Sequence, residues 1–348
     1  MLRPAQSAAA KDPASLDPAG GGGSSPRALA INYHFVRPRS SGRFALRAHE
    51  RPDRFDQQLS QLAREFRFGR LRDLLVEAQP EAAPPRVVLT FDDGARDFVR
   101  HALPLLERYG ATASVFVCAQ PYLEGRLLDI QKIEFLMQNL GLERFRSAFY
   151  GELERQFPHG VERGSLDFAG GYRFYRYDEA PVREFKLDLN YRLPYDRLAP
   201  VLDALFGAVF GAGSEAAAVR ETYLSLDELK RLADAGVELG VHTHHHRVLP
   251  RLDFEGQKRE IATGADFLRE TTGQADFAVA YPFGFHDDRT RKAVAVLGLL
   301  AGLTMERRSI EAEDIRARWS LPRYDVNDCF DRESNLLVGE VFAGLRAA

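Results

Sequence analysis

Val87-Val88-Leu89-Thr90-Phe91-Asp92-Asp93-Gly94 is the stretch whose reading decides the fold. Its first five residues carry no charge, are rich in β-branched and aromatic types and are too few for a helix, so they read as a buried strand. Two adjacent carboxylates follow at once. Successive side chains of a strand point to opposite faces, so Asp92 and Asp93 can serve one site only where the strand ends and the backbone turns, a turn that Gly94 supplies. Carboxylates this close repel unless a metal ion or a shared proton offsets their charge. On the dipeptide alone an Asp-Asp-Gly surface turn is the plainer reading; the rest of the chain tips the balance.

Outward from this stretch the pattern repeats. Upstream, Ala28 to Tyr33 is an apolar run ending at His34, and Phe55, Leu59, Leu62 and Phe66 fall on one helix face between the two runs, which predicts strand, helix, strand. Downstream, Val99 to Tyr109 predicts a helix ended by Gly110, with Pro104 as a break or a first-turn residue, and Ala113 to Cys118 predicts another strand. The rhythm stops from about residue 122 to 222, where a helix at Ile130 to Leu140 is followed by Gly-, Arg- and Tyr-rich sequence including Tyr172 to Tyr177. This segment reads as an insertion; its aromatics and arginines suit a sugar ring or a phosphate, or else pack on one another. Ser225 and Glu228 then stand in capping-box spacing before a helix that closes at Gly236. Val237 to Val241 alternates as a strand and delivers His242-Thr243-His244-His245-His246. Further strands are expected at Phe277 to Ala280, Leu299 to Thr304 and, as a last barrel strand or an edge, Leu321 to Val326. Strand, helix and parallel strand in succession point to an α/β sheet or barrel, with the 122–222 segment inserted in it.

Composition sets bounds. The 348 residues with 45% hydrophobic content suffice for a large core, and Lys+Arg 47 against Asp+Glu 50 gives a net charge of -3, which argues against nucleic acid as a partner. Cys118 and Cys329 are too few for a disulfide framework or a zinc–thiolate site. Residues 1–26, rich in Ala, Pro, Gly and Ser, read as a disordered tail without the apolar core of a signal peptide, and no apolar run is long enough to span a bilayer. A cytoplasmic protein is the expectation, with one domain over 27–348 interrupted at 122–222.

Four strand ends therefore carry His34, Asp92-Asp93, the 242–246 histidines and Tyr281-Pro282. In a (β/α) barrel the C-terminal strand ends open on one face, so these residues converge. His242 and His246 with Asp93 make two imidazoles and one carboxylate with an open position, a standard hydrolytic metal set. Four histidines in five residues also suit a solvated surface tract, and His244 and His245 are read as flanking, with no direct role.

Thr90-Phe91-Asp92-Asp93-Gly94 resembles the first motif of the polysaccharide deacetylases, the NodB-homology group of carbohydrate esterase family 4. His242-Thr243-His244-His245-His246 resembles their H-(S/T)-x-x-H motif, and Ala280-Tyr281-Pro282-Phe283-Gly284 is similar to their third. The resemblance covers roughly residues 28–121 and 223–327, leaves the insertion out and implies an α/β fold, a distorted, incomplete TIM-like (β/α) barrel with an inserted segment. It implies that Asp93, His242 and His246 hold a divalent cation, that Asp92 is the general base and that the backbone N–H of Tyr281 meets the oxyanion. Zinc is the default metal for these ligands, with iron, cobalt or nickel fitting the same set.

Two departures stand out. No histidine follows His286 to serve as the family's late acid, so the site either lacks an acid or takes it from His34, as in relatives that begin with a Tyr-His strand; His34 is the favoured reading. Ala280 stands where many members have an arginine that orients the base, and Arg323 is the candidate replacement, with a structural salt bridge as the rival account. The implied activity is removal of an N-acyl group, acetyl by preference, from an amino sugar in a glycan or a carrier-linked precursor. Two other readings are a carbohydrate-binding protein whose catalysis has lapsed and a metal-independent amidohydrolase on the same barrel.

Overall fold

Eight strands, all paired in parallel, form one sheet: β1 (Ala28–Tyr33), β2 (Arg67–Phe68), β3 (Arg86–Phe91), β4 (Ala113–Val117), β5 (Glu238–Val241), β6 (Val279–Ala280), β7 (Gly302–Leu303) and β8 (Tyr324–Asp325). The order is β7-β6-β5-β4-β3-β1-β8, with β2 beside the start of β3. These strands come from a computed structural model that describes residues 28–38, 44, 50–76, 85–167 and 179–346; the expected tail at 1–26 and the Tyr172–Tyr177 run lie outside them. Every residue of β1, β3 and β4 is buried, as a parallel sheet covered on both faces requires.

The period of two sorts the strand side chains into two cores. Leu29, Ile31 and Tyr33 of β1, Val87, Leu89 and Phe91 of β3 and Val115 and Val117 of β4 pack outward on helices, including Pro52–Glu65 through Phe55, Leu59 and Leu62. The alternate residues Ala28, Ala30, Val88 and Phe116 join Ala278, Ala280, Ala301, Leu303 and Leu321 on the inner face of the curled sheet. Beyond these inner residues, β1 and β3 continue in the same phase to Asn32, and to Thr90 and Asp92. The sheet is an incomplete α/β barrel because β6, β7 and β8 are only two residues long each. Its edges meet through one short segment, which bridges β7 at Leu321 and pairs with β1 at Tyr324 and Asp325.

Local signals behave as their chemistry dictates. Ser225 and Glu228 exchange both hydrogen bonds of a capping box at the start of the helix Leu226–Asp234. Pro104 falls in the first turn of the helix Leu103–Arg108, after a wider turn over Phe98–Ala102. The long stretch between β4 and β5 is mostly helical where described and has its own aromatic core of Phe135, Phe145, Phe149, Phe185, Phe206 and Phe210. Among the described residues no single helix is long and apolar enough to cross a membrane.

Close packing at the β7 edge yields a prediction. A Cβ at Gly302 would stand 1.9 Å from the Tyr281 hydroxyl oxygen and 2.8 Å from the Trp319 carbonyl. Gly302→Ala is therefore expected to lower stability by about 1–3 kcal/mol. Gly207→Ala, inside the helix Tyr195–Phe210 where an added Cβ meets nothing within 4 Å, should raise stability by about 0.5–1 kcal/mol. Urea denaturation of both variants checks the pair.

Candidate active site

The two aspartates reach one site by different routes. Asp92 continues the inward phase of β3, while Asp93 would point away were its backbone extended. Instead Asp93 takes φ 68° and Gly94 φ 67°, so the turn begins one residue earlier than the glycine. A Cβ on Gly94 would press on Val117 at 3.2 Å, which adds a packing reason for glycine there.

Arg323 lies inside the barrel with no exposed surface. Its Nη1 and Nη2 donate to Asp92 Oδ1 and Oδ2 at 2.9 and 3.0 Å, a bidentate pair. Nη1 also donates to Asn32 Oδ1 and Thr90 Oγ1, both at 3.1 Å, and Nε to the Thr304 carbonyl at 3.0 Å. Burial pushes the Asp92 carboxyl up, but Arg323 and then His242 outweigh it and hold the group far below the usual carboxylate range. Of the two expectations for Arg323 the salt bridge is present, and its partner is Asp92 itself.

Asp93 is held differently. Its Oδ2 accepts from Gln131 Nε2 at 3.0 Å; Gln131 Oε1 accepts from the Tyr223 hydroxyl at 2.9 Å, which in turn accepts from the N–H of Leu128 at 3.1 Å. Its other oxygen, Oδ1, is buried without a hydrogen bond and stands 3.6 Å from Nε2 of both His242 and His246. Burial raises the Asp93 carboxyl, with His34 and His242 offsetting part of the rise. The two imidazoles are each lowered to about 4, burial being the largest cause, so both are neutral near pH 7. His242 Nδ1 lies 2.8 Å from the Ala280 carbonyl, which accepts the ring proton and leaves the Nε2 lone pair facing Asp93.

These three groups could hold a cation. Their ligand atoms lie within 4.8 Å of one another, and the orphaned buried carboxylate oxygen of Asp93 stands beside two neutral imidazole nitrogens, a donor set that suits a positive charge. Thr243 and His246 hold the loop in left-handed conformations, φ 67° and 57°, with the His246 N–H donating to Thr243 Oγ1 at 3.1 Å. A β-branched residue at such a φ is strained, which is typical where a loop is shaped for ligands.

Two expectations meet different outcomes. His34 follows β1 directly and is exposed; its charge ranks among those acting on Asp92, Asp93 and His246. Tyr281 needs a correction: its backbone N–H is spent in the sheet on the Leu303 carbonyl at 2.9 Å, and its hydroxyl donates to the Trp319 carbonyl at 2.8 Å. The amide two residues on differs. Phe283 sits at φ 58° with its ring 4.8 Å from that of His246, and among the described residues its N–H donates to nothing.

Gln131 and Tyr223 were not singled out from the sequence. Both come from the helical stretch between β4 and β5, and only the fold brings them against Asp93. From the same stretch the buried Tyr191 packs edge-on against Phe283 and Phe285, and the guanidinium groups of Arg247 and Arg251 both lie over the ring of Tyr195, at 5.0 and 4.5 Å from its centroid. Tyr195 also accepts the Val248 N–H at 2.9 Å, so both tyrosines are engaged within the fold.

Comparison with known proteins bears on this geometry. The polysaccharide deacetylase family model matches residues 79–136 and 206–302. That match contains Asp92, Asp93, Gln131, His242, His246 and Phe283, and leaves out His34 and Arg323. No curated protein matches the chain by sequence. The solved Streptococcus pyogenes deacetylase PplD in complex with acetate is similar with a TM-score of 0.53 and 19% identity, over 86% of this chain and 92% of that one. The structure of IcaB from Ammonifex degensii gives 0.50 and 16% identity over 93% and 97%. At these identities the likeness is one of fold.

The imidazoles set a pH dependence. With His242 and His246 lowered to about 4 from 6.5, the unfolded chain binds more protons than the native one between those values, so stability rises with pH across that window. The raised Asp93 carboxyl works against this slope above 3.8. In chelator-treated protein the urea midpoint is expected to fall as pH is lowered from about 6.5 to about 4, and a His242→Asn, His246→Asn double variant should flatten that slope. An unchanged slope would contradict the burial of neutral imidazoles.

Proposed function

We propose, from the premise that this chain carries a polysaccharide deacetylase domain, that it hydrolyses the N-acyl amide of an amino sugar with the help of one divalent cation. The observation that carries the reading is the split between two adjacent aspartates. Asp92 is locked to Arg323, while Asp93 Oδ1 is left open toward two neutral imidazoles. Asp93, His242 and His246 would hold the cation, and zinc suits two imidazoles and a carboxylate. Bound there, it would supply Lewis acidity toward water and the amide carbonyl.

The chain's own groups divide the remaining work. Asp92, kept ionised by Arg323, accepts the proton of the attacking water. The same ion pair makes Asp92 a weak base, so the drive for proton transfer comes from acidifying the water rather than from a basic carboxylate. The free N–H of Phe283 is the oxyanion donor this geometry offers in place of Tyr281. His34, exposed directly after β1 and near enough to act electrostatically on Asp92, Asp93 and His246, is the candidate to protonate the departing amine. Gln131 fixes Asp93 so that Oδ1 and not Oδ2 faces the histidines.

Two experiments test this. Protein purified without a histidine tag is expected to release acetate from N-acetylated glucosamine oligomers, to lose that activity on chelation and to regain it with zinc. Asp92→Asn should lower kcat by about 10²–10⁴-fold while still binding metal. Full activity after exhaustive chelation would favour a metal-independent amidohydrolase, and metal binding without release from any N-acylated sugar would favour a binding protein. Separately, Gln131→Leu should weaken zinc by about 10–100-fold in competition with a chromophoric chelator, and kcat at saturating zinc should change far less.

A further inference from the structure

A second cluster of metal-type ligands stands beside the first and shares no residue with it. His244 and His245, in the loop between His242 and His246, both face Glu124, whose Oε1 lies 3.2 Å from His244 Nε2 and 3.0 Å from His245 Nε2. One ligand atom from each lies within 4.8 Å of the other two. Neighbouring ligands in a tetrahedral zinc site stand about 3.3 Å apart, given bonds of about 2.0–2.1 Å.

Two of the three members are oriented from behind. His245 Nδ1 is 2.6 Å from Glu260 Oε1, and Glu260 Oε2 accepts the His245 backbone N–H at 2.9 Å. Glu260 is 5% exposed. A buried carboxylate on Nδ1 fixes the ring proton there and presents the Nε2 lone pair outward, the arrangement that prepares a histidine to ligate. Glu124 follows the helical turn Gln120–Leu123, and its Oε2 is 3.5 Å from Gln120 Nε2. That turn is pinned to the histidine loop by its own backbone, with the N–H groups of Ala119 and Gln120 donating to the carbonyls of Thr243 and His244 at 3.2 and 3.0 Å. The carboxylate and the imidazoles are thus brought together independently of their mutual attraction.

An ion pair accounts for His245, which lies between Glu124 and Glu260, but not for His244. His244 Nε2 is buried, close to a carboxylate oxygen, and yet makes no hydrogen bond of acceptable geometry. A buried ring nitrogen without a partner is expensive unless something else satisfies it.

We propose that Glu124, His244 and His245 form a second divalent-cation site, suited to zinc. It ties the segment after β4 to the loop that carries His242 and His246. The part-exposed Glu124 leaves the remaining coordination to water.

The test counts ions. Full-length protein without a histidine tag, stripped with a chelator and dialysed to equilibrium against zinc, is expected to hold two ions per chain by atomic emission. His244→Asn and Glu124→Gln should each hold one, Asp93→Asn one, and Asp93→Asn combined with His244→Asn none. The inference is overturned if the wild type holds one ion that His244→Asn and Glu124→Gln retain, or two that both variants retain. The first site fails separately if Asp93→Asn loses nothing while His244→Asn loses one. Circular dichroism of each variant confirms that lost ions do not reflect lost structure.

Discussion

The bidentate contact between Arg323 and Asp92 is the constraint around which the inside of the barrel is built. A guanidinium without exposed surface is tolerable only when its donors are satisfied, and here Asp92, Asn32, Thr90 and the Thr304 carbonyl take them. Room for the group comes from the inner core, where Ala28, Ala30, Ala278, Ala280 and Ala301 replace the branched side chains that fill complete barrels. Arg323 crosses the inner face between the short segment that joins β7 to β1 and the end of β3. Closure of the sheet and charge of the site are therefore one feature.

That contact also makes the two neighbouring aspartates unlike. Arg323 holds Asp92 far below the usual carboxylate range, whereas burial raises Asp93 from its ordinary value. Pairs of acids whose surroundings drive them apart are how one site assigns two roles. The separation starts from strand geometry: the inward phase of β3 gives Asp92 to Arg323, and a left-handed residue turns Asp93 toward the histidines. It is completed by Gln131 and Tyr223, which occupy one oxygen of Asp93 and leave the other open.

The helical stretch between β4 and β5 was legible in sequence only as a break in rhythm, and its helix at Asp129–Leu140 was the part that could be placed. Its bearing on the site was not legible. Gln131 is one buried polar residue among many on an amphipathic helix, and nothing local marks the carboxylate it will meet 38 residues away. The misassigned amide at Tyr281 has the same origin. Backbone hydrogen bonding depends on which strand lies alongside, and β7, only two residues long, takes the Tyr281 N–H.

By itself the sequence determined what short-range rules govern. The period of two, the capping box at Ser225, the turn chemistry at Asp93-Gly94 and the spacing of His242 and His246 all act within a few residues, where sterics and hydrogen bonding leave little choice. The tertiary structure alone decided the long-range pairings. Arg323 meets Asp92 across 231 positions, and which acid it meets follows from strand order and register, set by the packing of the whole sheet. Side chains became ligands, braces or packing according to what the closed fold left beside them.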